Sequence, residues 1–179
     1  MPLIVIEQYN PHWPTEFEAI KAHLQQTLGD LAVQIDHIGS TSVPGLGAKD
    51  IIDIQISVIE LVDEIVEKMQ AAGYVLKPHL ADHVPPGENP NPDLWRKRVF
   101  CERPGDRRAN IHVRVKGNPN QTYALRFRDY LQAHPDSVRT LQLIKEQLAR
   151  YHGDDLEAYY DIKDPVYDLI WDAAKASKE

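Results

Sequence analysis

A chain of 179 residues, 42% hydrophobic and 26% charged, has the make-up of one ordinary globular domain with room for a sizeable core. Its formal net charge of −7 argues against a general nucleic-acid binder, which would be basic overall. No apolar run approaches the roughly 20 residues that cross a bilayer, and one cysteine, Cys101, excludes an internal disulfide and points to a reducing, cytoplasmic setting.

The opening Met-Pro-Leu-Ile-Val-Ile-Glu has neither the basic nor the long apolar region of a signal peptide, so none is expected. Leu3–Ile6 reads as a short strand, followed by a turn with two prolines, Tyr9-Asn-Pro-His-Trp-Pro14. From Thr15 to Leu28 the apolar residues Phe17, Ile20, Leu24 and Leu28 recur at helical spacing, with Gly29 where a C-terminal cap belongs. Trp13 reads as a hydrophobic plug at that helix start. Leu31–Ile38 is a strand that leads into the stretch on which the chemistry centres.

That stretch is 37–57. A Gly39-Ser40 turn leaves one apolar run, and a second run begins at Asp50 and carries Asp53. With a strand period of two, Ile52, Ile54, Ile56 and Val58 share one face, and Asp53, Gln55 and Ser57 share the other. A carboxylate on a rigid strand thereby faces a loop rich in glycine and small hydroxyls, whose successive N–H groups can form an anion site. Two readings stand here: phosphate on the loop with a metal or general base at Asp53, or an ordinary turn beside a carboxylate that borders solvent.

Leu61, Val62, Ile65, Met69 and Ala72 mark a second amphipathic helix closed by Gly73, and Tyr74–Lys77 a short strand. Residues 78–94 hold five prolines and read as an irregular loop, either a lid or a solvated excursion. Trp95–Glu102 and Arg108–Lys116 then form a hairpin around a Pro-Gly turn. Val99 and Cys101 with Ala109, Ile111, Val113 and Val115 are expected on its apolar face. Arg96, Arg98 and Phe100 are expected on the other, beside Asn110, His112 and Arg114. Residues 95–128 carry ten Lys/Arg against two acids, so this +8 segment sits on a body of −15. A confined basic patch on an acidic body suits a small polyanion such as a nucleotide; a solvated basic hairpin is the other reading.

From Gln121 the pattern turns helical. Pro135 opens a helix with Val138, Leu141, Leu148 and Tyr151 on its buried stripe, ended by Gly153. Asp154–Glu157 has the form of a capping box. Asp164-Pro165 is expected to open a last helix bearing Val166, Leu169, Ile170 and Trp171. Strands and helices therefore mix over 1–120, and 121–179 forms a helical region packed on that core.

His37-Ile-Gly-Ser-Thr-Ser-Val-Pro-Gly-Leu-x-Ala-Lys49 followed by Ile51-Ile-Asp-Ile54 closely resembles the GrpB family. So do Tyr9–Pro14, Ile111-His112-Val113, Phe127-Arg-Asp-Tyr-Leu131 and His134-Pro135, a match from about residue 5 to residue 170. The resemblance implies an α+β, nucleotidyltransferase-like mixed sheet flanked by helices. Some members of the family are fused to dephospho-coenzyme A kinase. No Gly-x-x-x-x-Gly-Lys-Ser/Thr occurs here, so no P-loop kinase is expected within this chain.

In that wider fold, Gly-Ser precedes a strand bearing Asp-x-Asp/Glu, and a neighbouring strand gives a third carboxylate. Asp53 fits the first position, Gln55 is neutral at the second, and the third strand offers Asn110, His112 and Arg114. The resemblance thus implies Asp53 as the catalytic residue and ligand of one Mg²⁺. Gly39, Ser40, Thr41, Ser42 and Lys49 become the phosphate-binding set, joined by Arg96, Arg98, His112 and Arg114 on the hairpin and by Lys145 and Lys163 from the tail. The expected function is metal-dependent nucleotidyl transfer from a nucleoside triphosphate to a small acceptor. The alternative is a non-catalytic nucleotide- or phosphometabolite-binding module that assists a partner such as the coenzyme A pathway kinase. A weaker third reading is phosphate-ester hydrolysis through His112.

Overall fold

The structure is a computed structural model that describes residues 4–177. Five strands form one mixed sheet in the order β1-β2-β5-β4-β3: β1 Gln34–Ile38, β2 Ile52–Val58, β3 Val75–Lys77, β4 Lys97–Cys101 and β5 Ala109–Val115. The central β2 and β5 run parallel, and the remaining neighbours pair antiparallel. Helices α1 (Trp13–Leu28) and α2 (Asp63–Ala71) belong to one face, and α3 (Pro119–Ala133), α4 (Pro135–His152) and α5 (Leu156–Ala176) to the other.

Alternation along β2 sets both layers. Ile52, Ile54, Ile56 and Val58 are fully buried against Trp13, Phe17, Leu24 and Leu28 of α1 and Ile65 and Met69 of α2. A second cluster joins Val43 and Leu46, in the loop after β1, to Phe127 and Leu131 of α3 and to Val138 and Leu141 of α4. Trp13 is the expected plug: it is wholly buried, and its Nε1 donates to Asp50 Oδ1 at 2.8 Å. Arg107 ties Asp50 to Glu16 on α1, pinning the start of β2.

Several elements differ from the sequence-based expectation. Leu3 lies outside the described residues, and Ile4–Ile6 form no strand. Ile4 N instead donates to Gly153 O at 2.7 Å, and Glu7 makes an isolated bridge with Ala48. The strand expected from Leu31 begins at Gln34, because Gly29–Leu31 closes as a 3-10 turn. Tyr151 is about two-thirds exposed rather than buried.

Pro165 does not open the last helix. Helix α5 starts nine residues earlier, where Asp155 Oδ1 accepts from Ala158 N, and runs through Pro165. A proline has helical φ and removes one ladder donor, so a 21-residue helix packed along its length absorbs it.

Ile54 is fully buried in the central strand and cannot be replaced by collapse of a surface loop. Ile54→Ala is expected to lower unfolding free energy by about 3 kcal/mol, read as a shifted urea midpoint with an unchanged slope.

Candidate functional site

The pairing register builds the site. Ile38, the last residue of β1, pairs with Asp53, so the chain leaves β1 beside that carboxylate. Gly39 turns it with φ +67°, and a Cβ there would lie 2.6 Å from Asp53 Oδ2. Glycine is required by both the backbone conformation and the contact. Across the parallel ladder Asp53 faces Asn110, whose Nδ2 donates to Asp53 Oδ1 at 3.0 Å. Gln55 faces His112 and Ser57 faces Arg114, so the polar side of β2 continues onto β5.

Helices α3–α5 close this side into a cavity of about 600 Å³. At one end three lysines from three elements surround Asp53. Lys145 of α4 is almost wholly buried and donates to Gly47 O at 2.5 Å. Lys163 of α5 reaches Asp164 Oδ1 at 2.5 Å and lies 3.9 Å from the Tyr167 ring centre. Lys49 bonds the Tyr160 hydroxyl and lies over that ring. Ser40 Oγ meets Tyr167 OH at 3.2 Å.

These neighbours perturb one another. Burial pushes the Asp53 carboxyl above its ordinary value, outweighing the Asn110 hydrogen bond and the three lysines. Burial, reinforced by the charge of Lys163, brings the Lys145 ammonium down to about 7. Burial pulls Lys163 the same way, but Tyr167 and Asp164 outweigh it and hold Lys163 above its ordinary value.

The other end is closed by the 78–94 loop. Ala81 bridges Arg96, and Asp82 drops into the wall to accept from Arg114 Nε at 2.8 Å, Lys97 Nζ at 2.5 Å and Asn120 Nδ2 at 3.2 Å. Burial alone would raise the Asp82 carboxyl; Arg114 and Lys97 outweigh it and hold it well below the usual carboxylate range. Arg114 Nη1 also donates to Gln55 Oε1 at 2.8 Å, and Gln55 Nε2 to Gln121 O at 3.2 Å. Farther along, His83 reaches Asp168 at 2.9 Å, and Glu88 accepts from Trp171 and Lys175. The loop is thus a strap fastened to β4, β5 and α5.

Gly39, Ser40, Lys49, Asp53, His112, Arg114, Lys145 and Lys163 all line the cavity. Thr41 and Ser42 do not: Thr41 Oγ1 bonds His37 Nε2 at 2.9 Å, and Ser42 Oγ donates to Gly39 O at 2.6 Å, shaping the turn from within. Arg96 and Arg98 are a correction. Lys97 pairs with Arg114, Val99 with His112 and Cys101 with Asn110, so these residues share the cavity side. Arg98 and Phe100 sit with Val113 and Ile111 on the opposite face, and Arg96 is exposed beside Asp93. In Arg-Val-Phe-Cys the apolar side chains occupy both strand phases, so alternation alone does not choose the face.

Asp82, Lys97, Asn120 and Tyr123 are cavity residues the sequence did not single out. Lys97 was lost to the inverted hairpin phase. The other three reach the wall through tertiary contacts with no local pattern to mark them.

The donor set also bears on a metal. Among the described residues no three His, Cys, Asp or Glu side chains are grouped to hold one. Asp53 is joined on the sheet by amides, Gln55 and Asn110, and is ringed by ammonium groups. A single carboxylate can share one Mg²⁺ with substrate phosphates, but this set does not fit a protein-held pair of metal ions.

A mixed sheet with helices on both faces and a Gly-Ser turn resting on a strand carboxylate defines an α+β protein of nucleotidyltransferase-like fold. Cid1 poly(U) polymerase in complex with its short product ApU shares it, with TM-score 0.53 at 14% identity over 81% of this chain and 43% of that one. The chain belongs to the GrpB family, matched over residues 3–172. The crystal structure of GrpB from Enterococcus faecalis is similar at TM-score 0.78 and 31% identity, covering 98% of this chain and 100% of the other.

Dephospho-CoA kinase of Mycolicibacterium paratuberculosis is 36% identical over 187 residues, 94% of this chain and 46% of that protein. UPF0157 protein YqkA of Bacillus subtilis is 37% identical over 173 residues, 96% of this chain and 47% of the relative. The chain spans about half the length of these two relatives. No helix among the described residues is long and apolar enough to cross a membrane.

The Asp82 network sets a pH signature. A carboxyl depressed by folding contributes stability above its unfolded pKa, near 3.9, and that contribution is lost as pH falls toward the folded value. Asp82→Asn is expected to cost about 3 kcal/mol at pH 7, since it leaves Arg114 and Lys97 without their carboxylate. In urea titrations the gap from the wild type should narrow steadily below pH 4; a gap independent of pH would refute the assignment.

Proposed function

We propose that this chain binds a nucleotide or related phosphorylated small molecule, with the phosphates held by Lys49, Lys145 and Lys163 against the Gly39–Ser40 turn. One observation carries the reading: three ammonium groups from a loop and two helices converge around Asp53 inside a cavity and outnumber the carboxylates Asp53 and Asp164 beside them. Cations concentrated in a low-dielectric cleft focus their field on a small polyanion, and charge-assisted hydrogen bonds to phosphate oxygens are the strong kind. The turn supplies backbone beside them at a position where a side chain would collide.

Metal-dependent nucleotidyl transfer is a second reading, favoured by the retention of Asp53 beside the Gly-Ser turn. Amides at Gln55 and Asn110 in place of further carboxylates weigh toward capture without turnover. An accessory role toward a dephospho-CoA kinase in the cytoplasm belongs to the same proposal, on the strength of the relatives that bear that name and that this chain half spans. It is checked by whether adding the chain changes such a kinase's rate.

Calorimetric titration with ATP tests the reading. Binding is expected to persist in EDTA and to weaken at least about tenfold in Lys163→Met. Binding that requires Mg²⁺ and is abolished by Asp53→Asn, with pyrophosphate released on addition of an acceptor, would move the conclusion to transfer. Absence of binding in every condition would end the reading.

Lys145 adds a pH dependence with a defined sign. It loses its charge as pH rises through about 7, while phosphate monoesters, with a second pKa near 6, are ionised throughout that window. Affinity for ATP should therefore fall between pH 7 and 9, and Lys145→Met should bind weakly with a flat profile.

A further inference from the structure

The three lysines at the Asp53 end are held in place by different means. Lys145 is almost wholly buried and donates to Gly47 O at 2.5 Å. Lys163 reaches Asp164 Oδ1 at 2.5 Å. Lys49, half-buried on the loop before β2, forms no ion pair among the described residues. A lysine carries its charge on a flexible four-carbon stem, so a half-buried one without a carboxylate needs another partner to stay aimed into a cavity.

Tyr160 is that partner. Its hydroxyl accepts from Lys49 Nζ, and the same ammonium lies 4.5 Å from the centre of its ring. Lys163, three residues farther along α5, lies 5.2 Å from that ring centre. Within about 6 Å the negative face of an aromatic ring attracts a cation. One side chain thus contacts an ammonium group from the loop and another from the helix.

The ring is itself anchored. Tyr159 is almost wholly buried in a cluster with Ile4 and Leu148, and it meets Tyr160 edge to face with the ring centres 5.6 Å apart. Tyr160 lines the cavity yet is 36% exposed, so it stands at the cavity's rim and not in the core. Its hydroxyl occupies one of the three N–H donors of Lys49 and leaves two for phosphate oxygens.

We propose that Tyr160 is the positioning residue of the phosphate site: hydroxyl and ring hold Lys49, and the ring holds Lys163, so that both ammonium groups are in place before a polyphosphate arrives. This rests on the phosphate-binding reading of the lysine end and extends it to the side chain that sets its geometry. Cations ordered in advance lose less freedom on binding, and affinity rises accordingly.

The experiment is calorimetric titration of the full chain with inorganic tripolyphosphate in wild type, Tyr160→Phe, Tyr160→Leu, Lys49→Met and the Tyr160→Leu/Lys49→Met double variant. Tyr160→Leu is expected to weaken binding about tenfold, and Tyr160→Phe, which keeps the ring, about threefold. In the Lys49→Met background the leucine substitution should cost about threefold or less, because a residue that acts through another is non-additive with it.

Undiminished binding in Tyr160→Leu would overturn the positioning role and leave the lysine reading standing. An equal loss in both backgrounds would mean that Tyr160 meets the anion directly or shapes the cavity as a whole, and would overturn it too. So would a Tyr160→Phe variant as weak as Tyr160→Leu. Failure of the wild type to bind tripolyphosphate would remove both readings together.

Discussion

The parallel pairing of β2 with β5 is the constraint on which the rest of the structure depends. With Asp53 opposite Asn110, Gln55 opposite His112 and Ser57 opposite Arg114, one face of two central strands becomes a continuous polar strip, while Ile54, Ile56, Ile111 and Val113 fill the other. A slip of one residue between these strands would send every polar side chain into the α1–α2 core. Because both strands are interior to the sheet, that register is set by burial on two sides and not by a turn.

The polar strip is then divided by what the helices and the strap bring to it. At the Asp53 end, α4 and α5 add Lys145 and Lys163, and the loop before β2 adds Lys49, so cations exceed the carboxylates that face them. At the Arg114 end, the strap adds Asp82, which pairs with the cations of both β4 and β5. Burial prevails at one end and is overcome at the other. It raises Asp53 and lowers Lys145, whereas at Asp82 two close cations overcome it.

This division changes the meaning of two residues that the fold makes prominent. Gln55 occupies the second carboxylate position of the wider fold, yet its amide is engaged on both sides, by Arg114 and by the Gln121 carbonyl. Arg114, one of the phosphate ligands expected on the hairpin, is committed to Asp82. The cations that remain to meet an anion come from the helical tail and the Gly-rich loop, and they are lysines. A lysine buried among other cations sheds its proton readily, so the site's charge responds to pH near neutrality.

The chain by itself determined the helix faces, the alternation along β2, the Gly39–Asp53 pairing of turn and carboxylate, and the family motif, because each is a local pattern with a fixed period or a fixed spacing. The phase of β4 was not determined: Val99, Phe100 and Cys101 are all apolar, so alternation does not say which of them enters the α1–α2 core, and Phe100 does. Nor was the start of α5, where an Asp155 cap outweighed the proline signal at 165. Asp82 and Asn120 were decided by tertiary structure alone, as was the geometry by which Lys49, Lys145 and Lys163, already among the expected phosphate ligands, meet around Asp53. Their partners lie tens of residues away, and packing of the tail and strap on the sheet, not any periodicity, brings those charges within reach of one another.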